Sequence, residues 1–410
     1  NNSIQHSHIS YKQTINMSWV QATLIENSTK KFYIEHTSGR TNHIAHGIIA
    51  LDELGADKTR IQKYIHHYAE RLEKPRDHED AWEKVDIENS KGKQKGFYGL
   101  LDHYKELLQE VHSGDWSSLL TQEFPKLSAG VVGAATHGLI QIGYGVAAKS
   151  DQVICEGLAY LHHSYLAIKT NVRPINEPKL PITEVLQNIY EDKDFQQRVN
   201  EEAEKDHPFV PQNSGNFTSR ILTIYNIFGD KLLQYSHQVQ MPSFFNEDDY
   251  TLNDVVKLAR WIVDCAILVF AKSSRKNDFF LLHGVTAAWS LLQIIPLLSP
   301  ENGVKAIKEF LIALLGVYIV QKCPALTQEI PQNISIKWDE LIKKTIDKDV
   351  SRDTHKFKLV QACYDMYKTK DENGDGYSDN DQLYFFAAKM CVENVIKFVE
   401  PEFVISDDEV

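Results

Sequence analysis

Apolar residues recur at spacings of three and four along most of this chain, as they do in helices with one buried face. In KTRIQKYIHHYAERLEK (Lys58–Lys74), Ile61, Ile65, Tyr68 and Leu72 form such a stripe among charged neighbours. The same spacing predicts helices over Leu100–Val111, Leu252–Lys272, Val304–Gln321, Lys356–Lys368 and Gln382–Val399. Pro75, Pro125, Pro174, Pro208, Pro300 and Pro324 fall in turn-like stretches between these segments. ENSKGKQKG (Glu88–Gly96) and INEPKLP (Ile175–Pro181) read as surface connections. Strand-like alternation is short and rare, and no repeat or low-complexity tract is present. The expectation is an all-α fold of roughly a dozen or more helices, one large bundle-like domain with no internal boundary in view.

Composition narrows the class. The chain has 410 residues, 42% hydrophobic and 24% charged, which suits a soluble globular protein with a well-buried core. A net charge of −12 supplies no basic face for nucleic acid. Long apolar segments such as WIVDCAILVFA (Trp261–Ala271) are interrupted by charge and fall short of the ~20 residues of a membrane span, so they read as buried helices. Cys155, Cys265, Cys323, Cys363 and Cys391 are dispersed and odd in number, which predicts reduced, buried thiols rather than disulfides or thiolate zinc. No signal peptide is visible, and a mature chain would not show one. Cytoplasm is the expected location, with sequons at Asn16, Asn27, Asn216 and Asn333 keeping secretion open.

The candidate chemistry lies in the histidines, of which there are 17. His6, His8, His66, His67, His78, His103 and His112 sit among polar residues and are expected in solvent. Four other contexts are apolar. TNHIAHGIIALDELGA places His43 and His46 three apart, on one helical face. GVVGAATHGLIQIGYGVAAKS surrounds His137 with small and aliphatic residues, with Gln141 and Tyr144 one and two turns on. Its glycines at 133, 138, 143 and 145 admit close approach of another helix or a ligand. In DFFLLHGVTAAWSLL, His283 is the only strongly basic group, and in SRDTHKFKLVQACYDMYK, Asp353 is placed to cap a helix bearing His355 and Lys358. A single buried histidine is ordinarily a satisfied core residue. Four on separate apolar helices could converge in a bundle core and hold a metal, for which imidazole suits iron, copper, zinc or nickel.

These same segments carry a resemblance. NHIAHGIIALDELGA, THGLIQIGYG with CEGLAYLHHSY, FFLLHGVTAAWSL and DTHKFKLVQACYD are similar, in order, to motifs of the questin oxidase-like family. The similarity spans roughly Tyr33 to Val399 and divides the chain into a segment 1–32, a helical domain 33–400 and an acidic tail 401–410. The resemblance implies an oxygenase performing Baeyer–Villiger-type or ring-opening oxidation of polycyclic quinones with O2. It implies non-haem iron held by His137, His283, His355, a carboxylated Lys358, and either His43 or His46. Gln141 stands where the family often has a second histidine, and with Tyr144 it is a candidate for orienting the site or substrate. A small aromatic substrate is the implied partner.

Other functions compete. A metal-independent monooxygenase using NADPH would need no histidine cluster, although no GxGxxG after a strand marks a dinucleotide site. A calcium-binding interaction module is suggested by DENGDGYSDNDQ, where Asp371, Asn373, Asp375, the Tyr377 carbonyl and Asp379 have EF-hand spacing. Gln382 replaces the usual bidentate glutamate, and no second loop exists. A family fold that has lost catalysis is the fourth possibility.

Overall fold

The structure is a computed structural model and describes residues 17–36, 39–171, 178–211, 215–347, 353–369 and 380–396. Those residues form 17 α-helices and one two-residue antiparallel ladder, in which Glu35 pairs with Thr41 and His36 with Arg40. The first seven helices are α1 (Trp19–Glu26), α2 (Ile44–Glu53), α3 (Lys58–Ala69), α4 (Phe97–Glu106), α5 (Trp116–Leu127), α6 (His137–Ala147) and α7 (Asp151–His163). A peripheral group follows: α8 (Ile182–Glu191), α9 (Lys193–Ala203), α10 (Asn216–Ile227) and α11 (Gly229–Gln238). The last six are α12 (Leu252–Lys272), α13 (Phe279–Ile294), α14 (Pro300–Val320), α15 (Trp338–Ile346), α16 (Thr354–Lys368) and α17 (Asp381–Glu393).

Helix α13 is the axis of the core, packed against α6, α12, α14 and α16. It is apolar on all sides because it is surrounded on all sides. With the turn that follows, Phe279–Leu297 is long and apolar enough to cross a membrane by composition, contrary to the expectation that no run comes close. Because 78% of its apolar window is buried inside the fold, it gives no clear membrane span. The glycines of α6 let helices rather than a ligand approach. A Cβ on Gly143 would lie 2.3 Å from Ser290 Cβ of α13, and one on Gly138 would lie 2.6 Å from the Leu161 backbone of α7. These contacts lock α6 between its two neighbours, and α6 and α13 each contribute a histidine to the site.

Several boundaries differ from the sequence reading for identifiable reasons. Helix α3 stops at Ala69, and Tyr64 rather than Ile65 is buried, because Gly47 of α2 leaves room for the Tyr64 ring. The segment expected at Leu100–Val111 begins at Phe97 and closes as a π-turn over Leu107–Val111. Helix α17 ends at Glu393 instead of Val399, where Asn277 donates from its amide to the carbonyls of Cys391 and Asn394. Pro125 lies in the last turn of α5, and Pro300 is the first residue of α14, where its missing N–H costs nothing.

Among the histidines expected in solvent, His112 is buried and donates or accepts at Ser118, while His78 and His103 are half-buried. His66 and His67 are exposed as expected, and His6 and His8 lie outside the described residues. All five cysteines are free and buried. Asn27 is buried with its amide on the Thr23 carbonyl, so that sequon is no accessible glycosylation site. Asp371, Asn373, Asp375, Tyr377 and Asp379 lie outside the described residues. Gln382 accepts a hydrogen bond from the Ile334 amide at 2.8 Å.

Candidate metal centre

Four helices bring their N-terminal ends to one buried point. His43 is the residue that precedes α2, His137 opens α6, His355 is the second residue of α16, and His283 lies one turn into α13. The inward ring nitrogens of His43, His283 and His355 all lie within 4.8 Å of one another. His137 Nε2 is 2.8 Å from His43 Nε2 and 3.2 Å from His283 Nε2. All four side chains are buried. The structure thus gathers His43, not His46, with the other three. The His46 ring stands 5.4 Å from that of His43, packed instead on Tyr144.

The outer nitrogens are already committed. His137 Nδ1 faces the Ala134 carbonyl, His283 Nδ1 is 2.7 Å from the Phe279 carbonyl, and His355 Nδ1 is 2.8 Å from Asp353 Oδ1. Carbonyl and carboxylate oxygens only accept, so each Nδ1 must carry the proton and donate it. Each Nε2 is therefore a lone pair aimed inward. The 3.2 Å contact between His137 and His283 then opposes two acceptors with no proton between them. His355 Nε2 and Lys358 Nζ are buried with no hydrogen-bond partner among the described residues. Protonation is a poor remedy, because burial first, then nearby Lys358 or histidine, drives His43, His137 and His283 well below the ordinary imidazole range.

A cation resolves the arrangement. Ligands about 2.1 Å from one metal and at about a right angle have nitrogens roughly 3 Å apart, close to the contacts at His137. Outer Nδ1–H groups held by carbonyl or carboxylate are the usual companions of metal-bound imidazole. The donor set therefore fits a divalent transition metal.

The backbone before His137 is unusual. Ala134, Ala135 and Thr136 have φ of 46°, 51° and 70°, three successive left-handed residues of which none is glycine. That turn places the Ala134 carbonyl under His137 Nδ1. Gly133 makes it possible, since a Cβ there would sit 1.7 Å from the Ser164 carbonyl.

Electrostatics argue for an anionic partner. Four imidazoles are neutral donors, and helix N-termini add partial positive charge. Asp353 is fully buried; burial works to raise its carboxyl, but His355's charge and hydrogen bonds hold it below the ordinary range. Lys358 is 0% exposed, and desolvation brings its amine down to about 7. Gln141 donates to Glu156 Oε2 at 3.1 Å, and Tyr144 donates to Gln361 Oε1 at 3.1 Å. Both therefore stand behind His46 and outside the cluster. Reading the sequence noted Glu156 only as part of a family-like Glu-x-Leu-Ala helix and did not single out Gln361, Ala134 or Phe279; the last two act through backbone carbonyls, which leave no trace in side-chain identity.

An all-helical core with a buried four-histidine constellation defines the class. Comparison with known families matches residues 41–363 to the Questin oxidase-like family, and the chain belongs to that family. The family supports assignment as an oxidoreductase of the oxidase or oxygenase type acting on a small molecule. A search of curated proteins returns no match.

Proposed function

We propose that the protein is a non-haem iron oxygenase that oxidises or ring-opens a flat, quinone-like aromatic substrate. The observation that supports this most is the set of inward lone pairs on His137, His283 and His355, fixed by acceptors behind each ring. Those three and His43 would hold the metal. Bound iron would supply the activation of dioxygen, which organic side chains do not provide.

Lys358 would complete the set as a carbamate. Its amine is desolvated and brought down to about 7, so a substantial share is uncharged near neutrality, the form that adds carbon dioxide. The new N–C bond leaves an anionic carboxylate and releases one proton. That anion offsets charge that neutral imidazoles leave uncompensated. Asp353 keeps His355 in one tautomer and raises the basicity of its inward nitrogen. The burial of these side chains would limit the access of water to the reacting centre.

A metal-independent, NADPH-dependent monooxygenase would leave His355 Nε2 and Lys358 Nζ buried for no return, so the iron reading is preferred. The test is to load the purified protein with ferrous iron and isotope-labelled bicarbonate. The expected result is iron retention together with a carbamate carbon signal, with the carbon signal abolished and iron retention weakened in Lys358→Met. Retained activity in rigorously iron-free protein would overturn the proposal.

A further inference from the structure

His46 is buried with the Gln141 side chain beside its ring, and it begins a file of aromatic side chains. From His43 the ring-centre steps are 5.4 Å to His46, 5.2 Å to Tyr144 and 4.9 Å to Trp289. Tyr144 and Trp289 are 0% and 1% exposed, so the file crosses the core without touching solvent. It ends on a carboxylate. Trp289 Nε1 donates to Asp365 Oδ2 at 2.9 Å, and Asp365 is half-buried and near Glu53, whose carboxyl is raised first by partial burial and then by the charge of Asp365.

We propose that this file is a one-electron relay, with Trp289 as its donor, which disarms the centre when dioxygen is reduced there without an organic substrate. The inference rests on the iron oxygenase reading. Indole and phenol are among the most easily oxidised side chains, and each step is a near-contact between π-systems. In the relay, Trp289 loses one electron through Tyr144 and His46 to the dioxygen-derived oxidant at the site. Its Nε1 proton passes along the existing hydrogen bond to Asp365, leaving a neutral indolyl radical. Charge is thereby kept out of the low-dielectric core, where an indole cation would be costly. One electron from a small reductant of the thiol or ascorbate class, with the proton returned by Asp365, restores the indole. A purely structural Trp289 needs an acceptor for its N–H, but an ionisable one with access to water is what proton-coupled oxidation requires.

The test uses full-length protein loaded anaerobically with ferrous iron, desalted, analysed for iron and then exposed to air without organic substrate. Freeze-quenched samples carrying ring-deuterated tryptophan are read by electron paramagnetic resonance, and digests are read by mass spectrometry. The relay predicts bound iron and an indolyl radical that is lost in Trp289→Phe. Asp365→Asn keeps the hydrogen bond but not the base, and it should lose the neutral radical as well. In Trp289→Phe, oxygen adducts should shift to His43, His46 and Tyr144. If iron is bound but the radical is unchanged in both variants, or no protein radical forms, the relay is overturned and the iron reading stands. If no iron is retained, both fall together.

Discussion

Two buried histidine regions of this protein look alike by position and differ in bookkeeping of protons. His162, near the C-terminus of α7, is 2% exposed, and burial lowers it to about 4. Both of its nitrogens are satisfied. Nε2 is 2.9 Å from Ser90 Oγ, whose own proton goes to the Ile87 carbonyl, and Nδ1 is 2.9 Å from the Tyr104 hydroxyl. One tautomer meets every demand. At His137, His283 and His355, burial is as complete, yet each outer nitrogen takes the proton, His137 Nε2 faces the inner nitrogens of His43 and His283, and His355 Nε2 has no partner among the described residues. Burial alone therefore says little about a histidine. The inventory of donors and acceptors separates one that packs from one that the proposed function would make a metal ligand.

That comparison is broken most sharply by paired alanine substitutions. His137→Ala and His355→Ala are expected to abolish metal retention, while His162→Ala keeps it and loses about 2–4 kcal/mol of stability from the void and the orphaned Tyr104 hydroxyl. Elemental analysis and denaturant titration of the three proteins check this, and equal metal content in all of them would erase the distinction. Next comes Gly143→Ala. Its new Cβ forces α6 away from Ser290, so the His137–His283 spacing should widen; at least about 3 kcal/mol and most metal affinity should be lost together. Undiminished metal binding would show that the α6–α13 seam does not set the site.

Lys358→Met is predicted to act in opposite directions. Replacing a buried, unpartnered amine by an apolar chain should stabilise the metal-free protein by roughly 1–4 kcal/mol while weakening metal retention. Melting curves with and without added iron distinguish this from a simple packing defect, which would lower both. The smallest effect is expected at Asp278, the cap of the helix that carries His283. Burial raises its carboxyl to about 6, with the Leu281 amide and Arg275 opposing. The native state thus holds a proton that the unfolded chain would release nearer the ordinary carboxylate value. That stabilising contribution is full below about pH 4 and is lost as pH rises through about 6, with a ceiling of roughly 3 kcal/mol. Asp278→Asn keeps the cap and should flatten this slope in chemical denaturation across the same range; an unchanged slope would assign it to other groups.

The helical class, the extent of α12 and the four apolar histidine contexts were legible because periodicity and composition carry them directly. The choice between His43 and His46 was not. Both share a face, and only the position of His43 before the first turn of α2 lets its ring reach His137. Lys358 is named as a ligand through the family resemblance and its place three residues after His355, but its burial is not visible in sequence, because it comes from α2 and α13 packing on α16. The acceptors that fix the tautomers of His137 and His283 are main-chain carbonyls, which no residue type announces. The burial of His112 and His162 was hidden as well, since their partners, the hydroxyls of Ser118 and Tyr104, meet them only once the helices are packed.

The most direct test of the central claim is the iron content of protein purified and reconstituted without oxygen, compared across wild type, His355→Ala and His162→Ala. The account predicts about one iron per chain in wild type and His162→Ala, and none in His355→Ala. Wild-type protein that holds no metal after reconstitution, or iron that persists in His355→Ala, would contradict it.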